Sequence, residues 1–248
     1  MTALLIATRN AHKVREIRQV LAADYLYLSL DDFPGAPAVV EDGATFAATA
    51  AKKVNVLADW LATNSGRVPT CRDRAETRFS DLYILADDSG LEVDALDGAP
   101  GVHSARFAAL DAGLPGNSPD SVNNAKLLRL LEGVPPSRRT ARFRCVLALR
   151  ALSLPSAEVA IHPEAALNPQ SAIRNPQFST QAVLLEATCS GLIALQPAGS
   201  GGFGYDPLFI PDGFTRSFAE LGEGVKNILS HRARALEKLR QHLAVPAV

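Results

Sequence analysis

Apolar and polar positions fall in blocks along this chain, and the blocks predict its elements. "TALLIATRNAHKVREIRQVLA" passes from a five-residue apolar run, Ala3 to Ala7, into a stretch with Val14, Ile17 and Leu21 at i, i+3 and i+7. That pattern predicts strand, tight turn and helix. Asn10 is the candidate N-cap, which places Lys13 in the first helical turn. After the acidic turn "VVEDGATF", "AATAAKKVNVLADWLA" predicts a core-facing helix with Val54, Leu57 and Leu61 on its inner side. "LYILA", 82–86, predicts a buried strand that ends at the turn signal "DDSG". "NNAKLLRLLEGVPPSRR" predicts a helix stopped by Gly133 and the Pro135-Pro136 pair, and "TARFRCVLALRAL" a strand. "SHRARALEKLRQHL" predicts a last helix, with Ser230 as N-cap and Ala233, Leu236, Leu239 and Leu243 along its apolar stripe.

Two polar stretches interrupt these blocks. Residues 63–80, broken by Gly66 and Pro69, read as a surface insertion, and residues 153–182, with a near-repeat of Asn-Pro-Gln, as a loose hairpin extension. A third irregular stretch, "GGFGYDPLF", belongs to a glycine pattern in which Gly199, Gly201 and Gly204 spell G-x-G-x-x-G. A dinucleotide fingerprint needs a helix after its glycines. Pro207 follows instead, with Asp206 before it biased toward extended geometry, so a loop is expected.

At 248 residues the chain suits one domain with a sizeable core, and 47% hydrophobic with 21% charged residues is ordinary for a folded soluble protein. The net charge of −1 offers none of the basic surplus that polymeric nucleic acid attracts. Small ligands stay open. Cys71, Cys145 and Cys189 form no C-x-x-C pair, which suits a reducing compartment. No basic segment precedes the N-terminal apolar run, and no run approaches the ~18 apolar residues of a membrane span, so a cytoplasmic protein without membrane partners is expected.

Three kinds of residue then ask for a common explanation. Lys13, His231 and Arg232 are cations in the first turns of helices, with Lys226 just upstream; there they oppose the helix dipole unless an anion is near. Lys13 reads either as a solvated lysine or as part of a phosphate site with Thr8, Asn10 and the free helix N–H groups. Glu41, Asp42, Asp87 and Asp88 are carboxylates with no His or Cys cluster beside them, which suits a hard ion such as Mg²⁺. Asp87 and Asp88 equally read as a pair of turn formers, and as strand neighbours they would face opposite sides. The glycine-aromatic loop is the third feature. Together these suggest a Mg²⁺–nucleotide site.

"TRNAHK", "LADDSGLEVDALDGAPGVHSARF", "GGFGYDPLF" and "VKNILSHRARAL" resemble, in this order, the signatures of the inosine/xanthosine triphosphate pyrophosphatase family. Four motifs in order over nearly the whole chain are far more specific than one short pattern. The resemblance implies an α/β fold with a long mixed central sheet flanked by helices, and two lobes with the active-site cleft between them. It implies a single pyrophosphatase domain over 1–248, a homodimer, and Mg-dependent hydrolysis of ITP, dITP and XTP to the monophosphate and pyrophosphate. In the phosphate-contacting opening it places Thr8, Arg9, Asn10 and Lys13. Glu41 and Asp88 match the metal carboxylates, with Asp88 the general base, and Ser89 and Lys53 stand beside them. Phe203, Gly204, Tyr205 and Asp206 match the base-reading loop, Lys226 a substrate-contacting lysine, and Ser230-His231-Arg232 the segment that closes over the purine. The chain departs from the family pattern at Ala48-Thr49, where Glu-Asn is frequent, and at Val225, where an acidic residue is frequent. A pyrophosphatase of similar fold for another modified nucleotide and a silent nucleotide binder are the alternatives.

Overall fold

The computed structural model describes residues 2–22, 25–64, 81–113, 115–152 and 181–244. Most of both polar stretches expected as insertions, and Cys71, lie outside the described residues. Six strands form one mixed sheet in the order β2-β1-β3-β4-β5-β6, with β1 (Thr2–Ile6), β2 (Leu26–Ser29), β3 (Asp81–Val93), β4 (Thr140–Leu152), β5 (Val183–Ile193) and β6 (Phe209–Pro211). β1 runs parallel to β2 and β3, and the remaining pairs are antiparallel.

Helices cover both faces, and four of the five described α-helices start at a side-chain cap. In α1 (Ala11–Leu21) the Asn10 side chain caps His12 and Lys13, and in α2 (Phe46–Thr63) the Thr45 hydroxyl accepts from Ala48 N at 3.1 Å. α3 (Asp120–Leu130) precedes β4, and α4 (Phe218–Leu229) opens with a Ser217–Glu220 capping box. Ser230 Oγ accepts from Ala233 N at 3.1 Å at the start of α5 (His231–Ala244). α2 packs Val54, Leu57 and Leu61 on Ala3, Leu5, Ile84 and Ala86. On the opposite face α1 and α5 pack Ile17, Leu21, Leu236 and Leu239 on Leu4, Ile6, Leu85 and Leu147. A further apolar cluster gathers Leu91, Val93, Ala141 and Phe143 at the far ends of β3 and β4 with α3, β6 and α4. No helix among the described residues is long and apolar enough to cross a membrane.

One expectation is overturned. "DDSG" is no turn: β3 runs straight through it to Val93, pairing Asp87, Asp88, Ser89 and Gly90 with Leu147, Val146, Cys145 and Arg144 of β4. The turn reading fails because the side chains find partners inside the protein and the backbone finds a full ladder. Gly90 is present for space. A Cβ there would meet the Ser104 hydroxyl, lie 2.5 Å from Gly101 O and 3.0 Å from Phe46 Cε1. Gly90→Ala is therefore expected to cost about 1–3 kcal/mol of overpacking, read as a lowered urea midpoint at unchanged m-value; an unaltered midpoint would refute the close-approach argument.

Candidate active site

β3 carries two neighbouring aspartates whose side chains leave on opposite faces of the sheet, as strand alternation requires. Along the α1/α5 face, Leu85 belongs to one apolar cluster and Leu91 to another, and the polar Asp87 and Ser89 occupy the interval between them. Asp87 is 1% exposed, so its charge needs partners within the protein.

Those partners come from three elements. Lys13 Nζ of α1 lies 2.5 Å from Asp87 Oδ1, and Arg232 Nε of α5 donates to Oδ2 at 2.8 Å. Ser89 Oγ donates to Oδ1 at 2.9 Å and accepts from Arg232 Nη2 at 2.9 Å, while Cys145 Sγ of β4 approaches Oδ2 at 3.3 Å. Burial alone would raise the Asp87 carboxyl, but the Arg232 and Lys13 charges outweigh it and hold it well below the usual carboxylate range.

The network continues away from Asp87. Arg232, 2% exposed, turns its other terminal nitrogen, Nη1, to Glu16 of α1. Glu16 Oε1 receives Lys226 Nζ of α4 at 2.7 Å, and Lys226 reaches Asp206 Oδ2 at 2.5 Å. Asp206 closes on its own loop by accepting from Phe203 N at 2.8 Å. Lys13, Asp87, Arg232, Glu16, Lys226 and Asp206 thus alternate in sign from β3 to the glycine-aromatic loop. Burial pushes the Asp206 carboxyl up despite Lys226. Burial acts the same way on Glu16, but there Arg232 and Lys226 prevail and its pKa is lowered.

That loop does not lead into a helix, as Pro207 foretold. Gly202 sits at φ +74, and a Cβ on it would run into the Asp206 carboxylate. Gly204 N donates to Asp120 Oδ2 at 2.6 Å, Asn124 donates to Gly204 O at 3.1 Å, and the buried Tyr205 hydroxyl donates to Ser104 O at 2.9 Å. Phe203 is left half-buried, with Lys226 Nζ 4.3 Å from its ring centre, Arg232 Cζ at 5.8 Å, and the His12 imidazole stacked on it at 5.1 Å and 20°.

On the α2 face Asp88 Oδ1 accepts from Lys53 Nζ at 2.9 Å, and the same nitrogen lies 2.8 Å from Glu41 Oε1. Burial raises the Asp88 carboxyl above its usual value against the pull of Lys53 and Lys13, with Glu41 adding to the rise. Burial would lower Lys53, but Asp88 and Glu41 together raise it. The two sides meet at the backbone, where Lys13 Nζ and Lys53 Nζ each lie 3.5 Å from the Asp87 carbonyl oxygen. Thr49 is buried beneath Gly43, in the segment that carries Glu41, so one of the two departures from the family pattern has a packing role. Nothing in the structure explains Val225.

Most of the sequence-predicted residues therefore converge: Lys13, Ser89, Phe203, Asp206, Lys226 and Arg232 on one network, Glu41, Lys53 and Asp88 on the other. Gly204 and Tyr205 support the loop from behind. Arg9 stands apart, its guanidinium donating to Ala36 O at 3.0 Å beside a groove it shares with Thr8, Arg15 and Arg18. Asn10 Oδ1 accepts from both His12 N and Lys13 N, and Thr8 Oγ1 from Asn10 N, so two of the helix N–H groups expected to be free are capped by the protein itself. His231 is also no cation: it is buried, stacked on Phe143 at 4.8 Å, and burial with Arg232 nearby drives its pKa well below the usual value. Its ring stays neutral, and its buried Nδ1 has no partner within the described residues. The dipole anomaly at Lys13 and Arg232 is met by Asp87 and Glu16, anions of the protein's own.

Glu16 and the full part played by Asp87 were missed in the sequence. Glu16 lies one position before Ile17 of the apolar stripe and three after Lys13. A carboxylate bordering a buried stripe, matched by cations at the start of a distant helix, was the available signal.

Comparison with known proteins agrees with this layout. The model of the Ham1 family matches residues 4–242. A dITP/XTP pyrophosphatase of Desulforamulus reducens is 42% identical over 241 residues, covering 97% of this chain and 94% of its own length. One of Geobacillus kaustophilus is 42% identical over 240 residues, covering 96% and 93%. Among solved structures, a HAM1 protein from Coxiella burnetii superposes with a TM-score of 0.68 at 30% identity over 98% of both chains. A nucleoside-triphosphatase and dITP/XTP pyrophosphatase from Mycobacterium abscessus gives 0.61 at 33% identity over 96% of this chain and 98% of its own. The fold, the four motifs and these likenesses agree, and the chain belongs to the Ham1 family.

Proposed function

We propose that this chain hydrolyses the non-standard purine nucleoside triphosphates ITP, dITP and XTP to the nucleoside monophosphate and pyrophosphate, clearing them from the nucleotide pool. The observation that carries the reading is the pair of adjacent strand aspartates in opposite electrostatic states. Asp87 is held ionised by Lys13 and Arg232, and Asp88 is pushed toward protonation by burial. Two titratable neighbours driven apart in this way suit an assignment of separate roles. Asp88 is the general base, and its raised carboxyl is the better proton acceptor. Asp87 orients Lys13, whose ammonium neutralises charge on the leaving pyrophosphate as water attacks the α-phosphorus. The α-phosphorus–oxygen bond to the β-phosphate breaks, the water proton passes to Asp88, and no covalent enzyme intermediate is needed.

A charge count at the site supports a divalent cation. Lys13, Lys53, Lys226 and Arg232 face Glu16, Glu41, Asp87, Asp88 and Asp206, four cations against five carboxylates. A polyanionic triphosphate cannot settle there by the protein's charges alone. Glu41 and Asp88 both reach the single Lys53 nitrogen, so two oxygen donors already converge on one cation's position, which fits Mg²⁺ and its habit of taking one or two carboxylates. Glu41 and Asp88 would hold the ion, which when bound supplies positive charge against the phosphates.

At the other end Phe203 offers its ring for base stacking, and the Asp206, Lys226 and Glu16 chain fixes it in place. The neutral His231, whose Nδ1 has no partner among the described residues, and Arg232 are the donors for a 6-oxo purine; a site built on such donors rejects adenine by factors on the order of 10⁴. A cleft between two lobes, a homodimer and a cytoplasmic location belong to the same reading.

The first test is pyrophosphate release by the purified chain with Mg²⁺ from ITP, dITP and XTP against ATP, GTP, CTP and UTP. Release confined mainly to the first three is expected, whereas comparable release from UTP or CTP, orthophosphate as product, or no turnover would overturn the reading. Asp88→Asn is expected to lower kcat for ITP about 10²- to 10⁴-fold while nucleotide binding survives; wild-type turnover would remove Asp88 from the base role. A third expectation concerns pH. Because Glu16 is held in the fold below its ordinary value of 4.5, the stability it contributes is present above about pH 4.5 and lost as the pH falls through its lowered pKa. Glu16→Gln should therefore cost about 2 kcal/mol at pH 7, with a gap to wild type that narrows below pH 4.5; a gap independent of pH in urea titrations would count against the charged network.

A further inference from the structure

Between α1, α4 and the glycine-aromatic loop lies a small cavity of about 100 Å³, lined among others by His12, Glu16, Phe203, Phe218 and Lys226. Ligand pockets are usually some 300 Å³ or more. A purine does not fit this space while the His12 ring lies on Phe203, so something at its rim must move. The inner rim is pinned, while Arg15 and Glu223 on its open side are exposed and 3.8 Å apart. Glu16 and Lys226 are tied into the buried charge network, Phe218 is in the core, and Phe203 follows a backbone held by Asp206.

His12 is different. It is exposed, and its ring neighbour among the described residues is Phe203, at 5.1 Å and 20°. Its backbone is fixed, because the amide is capped by Asn10 Oδ1 at 3.0 Å. The imidazole can therefore rotate about its own side-chain torsions without disturbing helix, cap or network. It also stands in the first turn of α1, one residue before Lys13, and so joins the phosphate end of the proposed site to its base end.

We propose that His12 is a base-contacting residue: its imidazole leaves Phe203 when the purine enters and re-stacks on the purine, so that the base lies against both rings. This rests on the reading of Phe203 as the base platform. The exchange favours binding because a two-ring purine offers more stacking face than the single ring of Phe203 that His12 gives up.

The test compares wild type, His12→Ala and His12→Phe in pyrophosphate release from ITP, together with inhibition by inorganic tripolyphosphate, which has the phosphates and no base. His12→Ala is expected to raise KM for ITP about three- to tenfold, the range an aromatic pair supports, with kcat within about twofold. His12→Phe should restore KM, and the tripolyphosphate inhibition constant should be the same in all three proteins. A role confined to packing would move stability and leave this split and rescue unseen. An unchanged or lowered KM in His12→Ala, no rescue by phenylalanine, or a parallel loss of tripolyphosphate inhibition each overturns the proposal. If wild type turns over ITP and the variants behave alike, this inference falls alone; if wild type is inert to ITP, the functional reading falls and takes it along.

Discussion

A fully buried carboxylate in the middle of a thirteen-residue strand constrains everything around it. Removing an ion from water costs several kcal/mol unless good partners replace the solvent. Asp87 obtains them from α1, α5, Ser89 and Cys145, and of the two cations it recruits Arg232 is itself buried and takes a second carboxylate. Arg232 is shared with Glu16, Glu16 with Lys226, and Lys226 with Asp206. The chain ends only where Asp206 bonds the loop's own backbone. Loss of any one member leaves a neighbour charged, buried and short of a partner, which is why such a network specifies one arrangement of its elements even where it adds little net stability.

The same network decides what the site can do. Cations locked to carboxylates are well placed and only weakly available, since each is largely neutralised where it stands. Precise positioning of charge is what phosphoryl transfer asks of a protein, and under the proposed function the missing positive charge would arrive with the substrate. In the same proposal that charge would enter at the position shared by Glu41, Lys53 and Asp88. It lies on the opposite sheet face from the buried network and joins it through one carbonyl oxygen.

Much of this was legible in the sequence. The periodicity of 14, 17 and 21, the caps Asn10 and Ser230, and the stripe on α5 name elements that are present, because amphipathic packing and capping are local rules. What was illegible depends on distant contacts. "DDSG" carries every local mark of a turn, yet its aspartates are satisfied by Lys13, Arg232 and Lys53, residues far away along the chain. Glu16 drew no reading in the sequence, because the groups that make it part of the site, Arg232 and Lys226, lie far away along the chain. His231 looked like a charge because its protonation depends on burial, which no run of residues displays.

The glycine pattern around residue 200 makes the same point from the opposite direction. Its G-x-G-x-x-G spacing matches a nucleotide fingerprint, but the demands behind it are unrelated to phosphate. Gly202, outside the spaced three, needs a left-handed backbone and has no room for a Cβ beside Asp206, and Gly204 N is spent on Asp120. A loop with two of its backbone amides, those of Phe203 and Gly204, already engaged by protein carboxylates is poorly prepared for a pyrophosphate. What it does present is a side chain, Phe203, held by a loop anchored on Asp206, Asp120 and Asn124. What the loop presents is therefore a ring, and the proposed function gives that ring a planar base to stack on.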